Sequence, residues 1–297
     1  ADTTAMKFGQ LLAIFPPRLL SLWGHHGFLL VALLGLFGCQ GPQKKEIVLS
    51  PKAQQSWRED REQLTKLHRS GVCELRWIDE AGRRHFEPQV DCDLWWQPPS
   101  AFAMQFSKLG EILGWVGGDG NQLWLFDLLS EPTQLTIIEP EAAAETVVFG
   151  LPLAGLLDGW QLQPLSAVGP RSPELVQSRL GPVTLFATGV GLPPNRLATD
   201  DGRLEVLYRS WNMIARAQDD AKGRSAGQWF PERVEWRLQA PEATATFWLR
   251  QPRRGLEEQR WNRVFDLNQL RRSLRPQKTS VISEGLDPEG SAKTAGS

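Results

Sequence analysis

The sequence predicts a mostly β (α+β) domain, in which a curved antiparallel sheet of many strands follows one N-terminal helix. Three observations predict it. Apolar and polar residues alternate with period two over many short stretches. Cys73, Leu75 and Trp77 interleave with Glu74 and Arg76, and Val234, Trp236 and Leu238 with Arg233, Glu235 and Arg237. Turn-forming clusters, Asp79-Glu80-Ala81-Gly82 and Gly117-Gly118-Asp119-Gly120-Asn121, join such stretches as hairpins. Helical spacing is confined to a few segments. Hairpin-joined strands with one polar face make an antiparallel sheet, and a sheet of more than about eight strands tends to curl. Curled with its apolar face inward, it becomes a barrel or half-barrel whose wall can enclose a ligand.

In chain order, residues 1–38 read as an export signal and stand outside the fold. Lys7 and Arg18 form the charged lead, and residues 28–37 are a continuous apolar core ending before Gly38 and Cys39. Gly24, His25, His26 and Gly27 interrupt the longer apolar run, and what remains is about half of the ~20 residues a spanning helix needs. Residues 39–50 form a tether. Ser50 and Pro51 open a helix in which Trp57, Leu64 and Leu67 recur near helical spacing, with Gly71 as its end.

A meander follows. Residues 86–97 place Val90, Cys92, Leu94 and Trp96 on one side and Asp91 and Asp93 on the other, and Pro98-Pro99 closes the strand. Strands are expected at 102–106, 111–116, 122–128 (Trp124 and Phe126 on one face) and 134–139. Between 140 and 157 the pattern turns helical on either side of Pro152, a segment placed to cap the open end or concave face of the sheet. Strands resume at 163–168, 175–180, 182–188, 204–209, 213–217, 233–239 and 244–249, with loops at 191–201 and 219–227. From 277 onward apolar residues are few, and a disordered tail over 277–297 is expected, so that the domain spans 51–276.

Charge is nearly balanced, with 33 Lys and Arg against 34 Asp and Glu. No basic face is implied, so nucleic acid is not an expected partner. The 13 Trp against a single Tyr, Tyr208, call for a wide core or an apolar cavity wall. Besides Cys39, the cysteines are Cys73 and Cys92, each on the apolar side of its strand. In an exported chain a disulfide between them is the first expectation and two buried thiols the second. The spacing of a zinc site is absent.

Two resemblances add to this reading. Leu36-Phe37-Gly38-Cys39 resembles the lipobox of bacterial lipoproteins, which implies that Cys39 is acylated and becomes the first residue of a membrane-tethered protein. The layout over roughly residues 50–276 is similar to the LolA/LolB-type lipoprotein-carrier superfamily. The matching features are the N-terminal helix, Gly118-Asp119-Gly120 before Leu123-Trp124-Leu125-Phe126, the helical interruption at 145–157, the strand opening Pro231-Glu232-Arg233-Val234, and the closing Phe265-Asp266-Leu267. That resemblance implies an incomplete antiparallel barrel covered by helices, carrying acyl chains or lipid-modified proteins on its concave face. A lipid-anchored member is closer to the membrane-bound acceptor than to the soluble carrier. Gln40, not aspartate, follows Cys39, which by analogy implies an outer-membrane position facing the periplasm.

Catalytic, metal, cofactor and phosphate-loop motifs are not found in the sequence, and no enzymatic activity is expected. Gly117-Gly118-Asp119-Gly120 reads as a turn, and Asp91, Asp93, Asp200-Asp201 and Asp219-Asp220 as solvated charge. The candidates for a cavity lining are Leu75, Trp77, Leu94, Trp96, Phe106, Trp115 and Trp236, because ligand pockets are mostly apolar and aromatic. Plain core packing is the ordinary alternative for each. Ala103 is expected to face the same cavity, and Trp95 to lie on the opposite side with Asp91 and Asp93. The chain is therefore expected to be a lipid-anchored envelope protein that binds acyl chains or lipidated proteins. The alternative is a structural or protein-interaction lipoprotein whose interior is filled.

Overall fold

A computed structural model describes residues 45–79, 81–162, 165–167, 175–214, 228–250 and 258–283. The expected signal, Cys39, the loop at 219–227 and residues 284–297 lie outside them. The chain divides into two units, Ala1–Lys45 and Glu46–Ser297, and every described element belongs to the second.

The elements run β1 (Ile47–Val48), α1 (Pro51–Glu62), β2 (Leu67–Ile78), β3 (Arg84–Gln97), β4 (Ala101–Lys108), β5 (Glu111–Gly118), β6 (Leu123–Asp127) and β7 (Gln134–Ile138). A 3-10 turn (Pro140–Ala144), β8 (Val147–Val148), β9 (Leu151–Pro152) and α2 (Leu153–Gly159) follow. Then come β10 (Ser166–Ala167), β11 (Leu175–Ser178), β12 (Gly181–Ala187), β13 (Arg196–Thr199), β14 (Leu204–Ile214), β15 (Gln228–Gln239) and β16 (Glu242–Leu249). The described chain ends with α3 (Glu258–Arg263), α4 (Leu267–Leu274) and β17 (Lys278–Ile282).

All but β8 and β9 join one 15-stranded sheet, ordered β10-β11-β12-β13-β14-β15-β16-β2-β3-β4-β5-β6-β7-β17, with β1 beside β12. The sheet is curved and does not close into a barrel, as the sequence predicts. Neighbours are antiparallel except β7 and β17, which are parallel. Lys278–Ile282 is thus a strand in register with Gln134–Ile138, and the expected disordered tail is corrected for those residues. Pairing to an existing edge orders a segment that has too few apolar residues to order itself.

Ser50 caps α1, its side chain accepting from the backbone N–H of Ala53, with Pro51 in the first turn. The helix ends at Glu62, earlier than the spacing of Leu64 and Leu67 suggests, because Leu67 pairs with Trp96 and opens β2. Sheet pairing overrides a marginal helical pattern.

Alternation sorts the apolar residues into two clusters on opposite faces of the sheet. Leu75, Leu94, Trp96, Phe102, Met104, Phe106, Val116 and Leu123 belong to the larger one, with Trp236 and Phe247. Trp95, Ala103, Trp115, Trp124, Phe126 and Leu135 form the second, covered by Trp261, Val264 and Leu270 from α3, the link to α4, and α4. Asp266 caps α4 by accepting from the N–H of Gln269 at 2.9 Å. Trp261 Nε1 donates to Gln97 Oε1 at 2.7 Å, tying α3 to the end of β3.

The expected disulfide is not made: Cys73 and Cys92 are buried free thiols. Register explains this. Cys73 faces Val90 and Cys92 faces Gly71 across the β2–β3 ladder, so the two cysteines are diagonal, not directly opposite. Diagonal positions lie about 7–8 Å apart, beyond the usual Cα separation of a disulfide. The hydrogen bond with Cys92 and then burial raise the Cys73 thiol well above its ordinary pKa. Both thiols should therefore resist alkylation in the native protein and react in denaturant without any reductant, as a mass-spectrometric thiol count would show. An oxidised pair in the exported protein would contradict this.

Candidate functional site

The larger apolar face does not enclose an open barrel interior. Residues 139–162 lie across it as a plug. Every residue of α2 is buried, and a helix buried on all sides, apolar but for Asp158, needs contact all round. Before it, the β8–β9 hairpin turns at Phe149 and Gly150, both at positive φ (50° and 76°). A Cβ at Gly150 would sit 2.5 Å from Trp77 Cβ and 3.0 Å from Ala243 Cβ, so both conformation and clearance require glycine. Phe149 sets its ring against Phe106 at 5.1 Å and Trp77 at 5.8 Å.

The plug is latched to the sheet by side-chain donors. Trp236 Nε1 donates to the Gly155 carbonyl at 3.1 Å, and the Tyr208 hydroxyl donates to the Gly159 carbonyl at 2.9 Å. The second bond satisfies one of the carbonyls that a short helix leaves unpaired at its C-terminus. Gly159 lies flat on the indole of Trp236, where an added Cβ would come within 2.3 Å of Nε1. Trp160, Trp236 and Phe247 then stack edge to face with centroids 4.8–5.1 Å apart. From the N-terminal side, Trp57 Nε1 donates to Gln161 Oε1 at 3.0 Å, joining α1 to the end of the plug.

Two openings remain among the described residues, and the wider, about 390 Å³, is an open cleft lined by Arg76, Trp77, His85, Phe86 and Thr244 on β2, β3 and β16. A cavity of about 70 Å³ lies at one end of the plug. Trp96, Phe102, Leu123, Leu157 and Leu162 supply its apolar wall, and Asp158 and Arg179 its polar end. The backbone N–H of Arg179 donates to Asp158 Oδ2 at 2.6 Å, and its guanidinium pairs with Oδ1. Burial pushes the Asp158 carboxyl above its ordinary pKa, with the Arg179 charge and hydrogen bonds pulling the other way. A cavity this size holds a few waters, whereas ligand pockets run to about 300–1,000 Å³.

Among the seven expected lining residues, only Trp96 borders this cavity. Trp77, Phe106 and Trp236 meet the plug, and Leu75 and Leu94 pack in the same cluster. Trp115 is a correction: it pairs with Gln105 in the β4–β5 ladder and belongs to the opposite face, stacked 5.5 Å from Trp95. Ala103 is likewise on that face, not toward the cavity. Both errors have one cause. Strands β3–β7 are apolar on both sides, and alternation alone does not say which side is which. Phe102, Leu157, Asp158, Leu162 and Arg179 are the residues that sequence reasoning missed. Asp158 had a readable signal, as the lone charge in the apolar run 153–160, which demands a buried partner.

The carboxylates read as solvated behave unremarkably. Asp119 Oδ1 accepts from the N–H groups of Asn121 and Gln122, closing a hairpin turn. Asp201 accepts from Arg203 N–H and Thr199 Oγ1, contacts that hold its carboxyl down at about 2. Asp93 pairs with His68 at 2.9 Å, and Asp91 is exposed. Asp219 and Asp220 lie outside the described residues.

No family model matches the chain. No curated protein matches it either. Solved structures are similar to it at low identity. A putative outer membrane lipoprotein-sorting protein domain from Vibrio parahaemolyticus has 7% identity and a TM-score of 0.46, over 72% of this chain and 96% of that one. A LolA superfamily protein from Nitrosomonas europaea has 9% identity and a TM-score of 0.43, over 72% and 97%. A DUF1329 family protein from Desulfovibrio piger has 9% identity and a TM-score of 0.44, over 72% and 98%.

Proposed function

We propose that this chain is an envelope lipoprotein, anchored through Cys39 and facing the periplasm from the outer membrane, which takes up an acyl chain or the lipid of a modified protein. The single observation that carries the reading is the division of labour on the larger apolar face. One side of the face is a continuous sheet, and the other is a separate helical insert, residues 139–162, held by a few named hydrogen bonds. The cavity of about 70 Å³ at the end of the insert is the point of entry. A chain entering between Trp96, Phe102 and Leu123 meets Leu157 and Leu162 first, and can advance only by lifting α2 from Trp236 and Tyr208. The energy of acyl burial, ~0.8 kcal/mol per CH₂, then replaces the burial that the plug gives up. A second reading, a protein-interaction lipoprotein with a permanently filled interior, is favoured by the close fit of Gly159 on Trp236.

Binding of a fluorescent fatty acid to the protein decides between them. On the carrier reading, Tyr208→Phe leaves the Gly159 carbonyl short of a donor and weakens the closed state by about 1–3 kcal/mol. The open state becomes more populated, and apparent affinity should rise by roughly tenfold, since affinity scales with the competent fraction. No binding by either protein would leave the filled-interior reading standing.

Gly159→Ala tests the latch itself. The methyl group must displace the Trp236 indole, an overpacking cost of about 1–3 kcal/mol, so the urea midpoint should fall while fatty-acid binding tightens. An unchanged midpoint would mean that α2 is not seated on Trp236 in solution.

A further inference from the structure

We infer that the cleft of about 390 Å³ on β2, β3 and β16 is a second binding site. It receives one oxyanion, a phosphate or a carboxylate, between Arg76 and Arg84, and seats the apolar body of the ligand over Ile78 and Phe86. The inference depends neither on acyl uptake nor on the anchor. Strand register places the residues. Arg76 pairs with Thr244 of β16 on one side and with Phe86 of β3 on the other, so these three share a face. Ile78 and Arg84 pair two residues further along, on the same face. Glu242 precedes Thr244 by two residues in β16 and joins them. The residues between these rows, Trp77, His85 and Ala243, turn to the opposite face, where Ala243 belongs to the larger apolar cluster and Trp77 packs on it. Thr244, Arg76 and Phe86 thus form one row across the cleft, and Glu242, Ile78 and Arg84 the next. Arg76 and Arg84 are diagonal neighbours, about 7–8 Å apart at the backbone, a gap that two long side chains close around a single oxyanion.

Around the cleft the arginines are ion-paired, and within it the pairing stops. Arg237, opposite Thr244 in the β15–β16 ladder, and Arg209 both reach Glu235, at 2.5 and 3.0 Å. Asp79, at the β2–β3 turn, is engaged by Arg83 Nε at 2.7 Å and His85 Nε2 at 2.9 Å. Arg76 and Arg84 have no ion-pair partner among the described residues, and neither Glu74 nor Glu242 is close enough to serve. Arg76 instead lies on Phe86, its guanidinium 4.4 Å from the ring centroid, and the ring is 50% exposed. Stacking fixes the guanidinium plane and leaves its N–H edge to fork an oxyanion. One exposed, unpaired arginine is ordinary. Two that share a cleft of ligand-pocket volume, one of them preset on an exposed aromatic ring, make a site. Glu242 sets its selectivity. Across Ile78 from Arg84, its carboxylate repels a second negative group on that side, so the ligand carries a single acid group.

The test is titration calorimetry on the full chain, with phenyl phosphate and benzoate as probes and inorganic phosphate and acetate as their counterparts without a ring. Each probe should bind several-fold more tightly than its counterpart, through contact with Phe86, and the tighter of the two probes names the oxyanion. Arg76→Ala and Arg84→Ala should each weaken binding by roughly tenfold or more, the loss expected when charge-assisted hydrogen bonds go. Arg76→Lys should recover only part of it, because a point charge does not reproduce the stacked fork, and Glu242→Gln should tighten binding. Positions 76, 84 and 242 are exposed, so the urea midpoint should stay where it is, which separates a lost site from a lost fold. Fatty-acid binding should be the same in all these variants, so failure here leaves the acyl reading intact. No heat from any probe, or equal affinity in the wild type and both alanine variants, would overturn the inference. Equal binding with and without the phenyl ring would overturn the seat on Phe86. Capture of the chain by phosphatidic acid vesicles without binding of phenyl phosphate would mean a charged lipid surface in place of a small-ligand cleft, and would also overturn it.

Discussion

The seating of α2 against Trp236 and Tyr208 is the contact on which the rest of the fold depends. A sheet that does not close leaves its concave apolar face without a partner, and water cannot cover it. Each fully buried large apolar side chain is worth about 1.5–3 kcal/mol, and α2 with the residue after it brings Leu153, Leu156, Leu157 and Trp160 to that face. The difficulty is the helix's own backbone, whose final carbonyls have no partners within so short an element. Tyr208 and Trp236 supply donors from the sheet, and glycine at 155 and 159 lets the backbone come close enough to receive them. Coverage, hydrogen bonding and clearance are one solution. A side chain at Gly159 disturbs all three together.

The same demand appears on the other face. Strands β3–β7 carry Trp95, Trp115, Trp124 and Phe126 away from the plug, and α3 and α4 close over them. A sheet buried on both sides reads as runs of apolar residues instead of alternation. Where the two layers meet β16 and β2, a buried arginine holds the strands. Arg69 donates to the carbonyls of Arg250 at 2.6 Å, Leu249 at 3.2 Å and Pro231 at 3.3 Å, and its guanidinium lies over Phe230. Burial lowers its pKa to about 10, far above neutral pH, so the charge persists and its hydrogen bonds stay charge-assisted.

Function follows from what these layers leave free. The second face is sealed by helices that precede a paired strand, β17. The first face is sealed by a segment joined to the sheet at few points and flanked by an open cavity. If a ligand enters anywhere, it enters where the seal is lightest.

Much of this was legible in the residues themselves. Most strand positions, the Asp119 turn, the Ser50 cap with Pro51 and the helical interruption between 140 and 157 are local features, set by alternation, turn chemistry and capping within a few residues; β13 (Arg196–Thr199) falls in a stretch that reads as a loop, and Leu204–Ile214 is one strand where the pattern suggests two. The errors share a different origin. Trp115 and Val116 are consecutive and both apolar, so only the pairing of Gln105 with Trp115 decides which of them faces the plug. Cys73 and Cys92 share a face, yet the register that sets them diagonally is fixed across two strands. Lys278–Ile282 is ordered by an edge that the rest of the chain creates. The sequence by itself determined the class of fold and the list of apolar residues available to a cavity. Only the tertiary structure decided which of them face one another and where space is left between them, because register and layer contacts are properties of strands far apart in the chain.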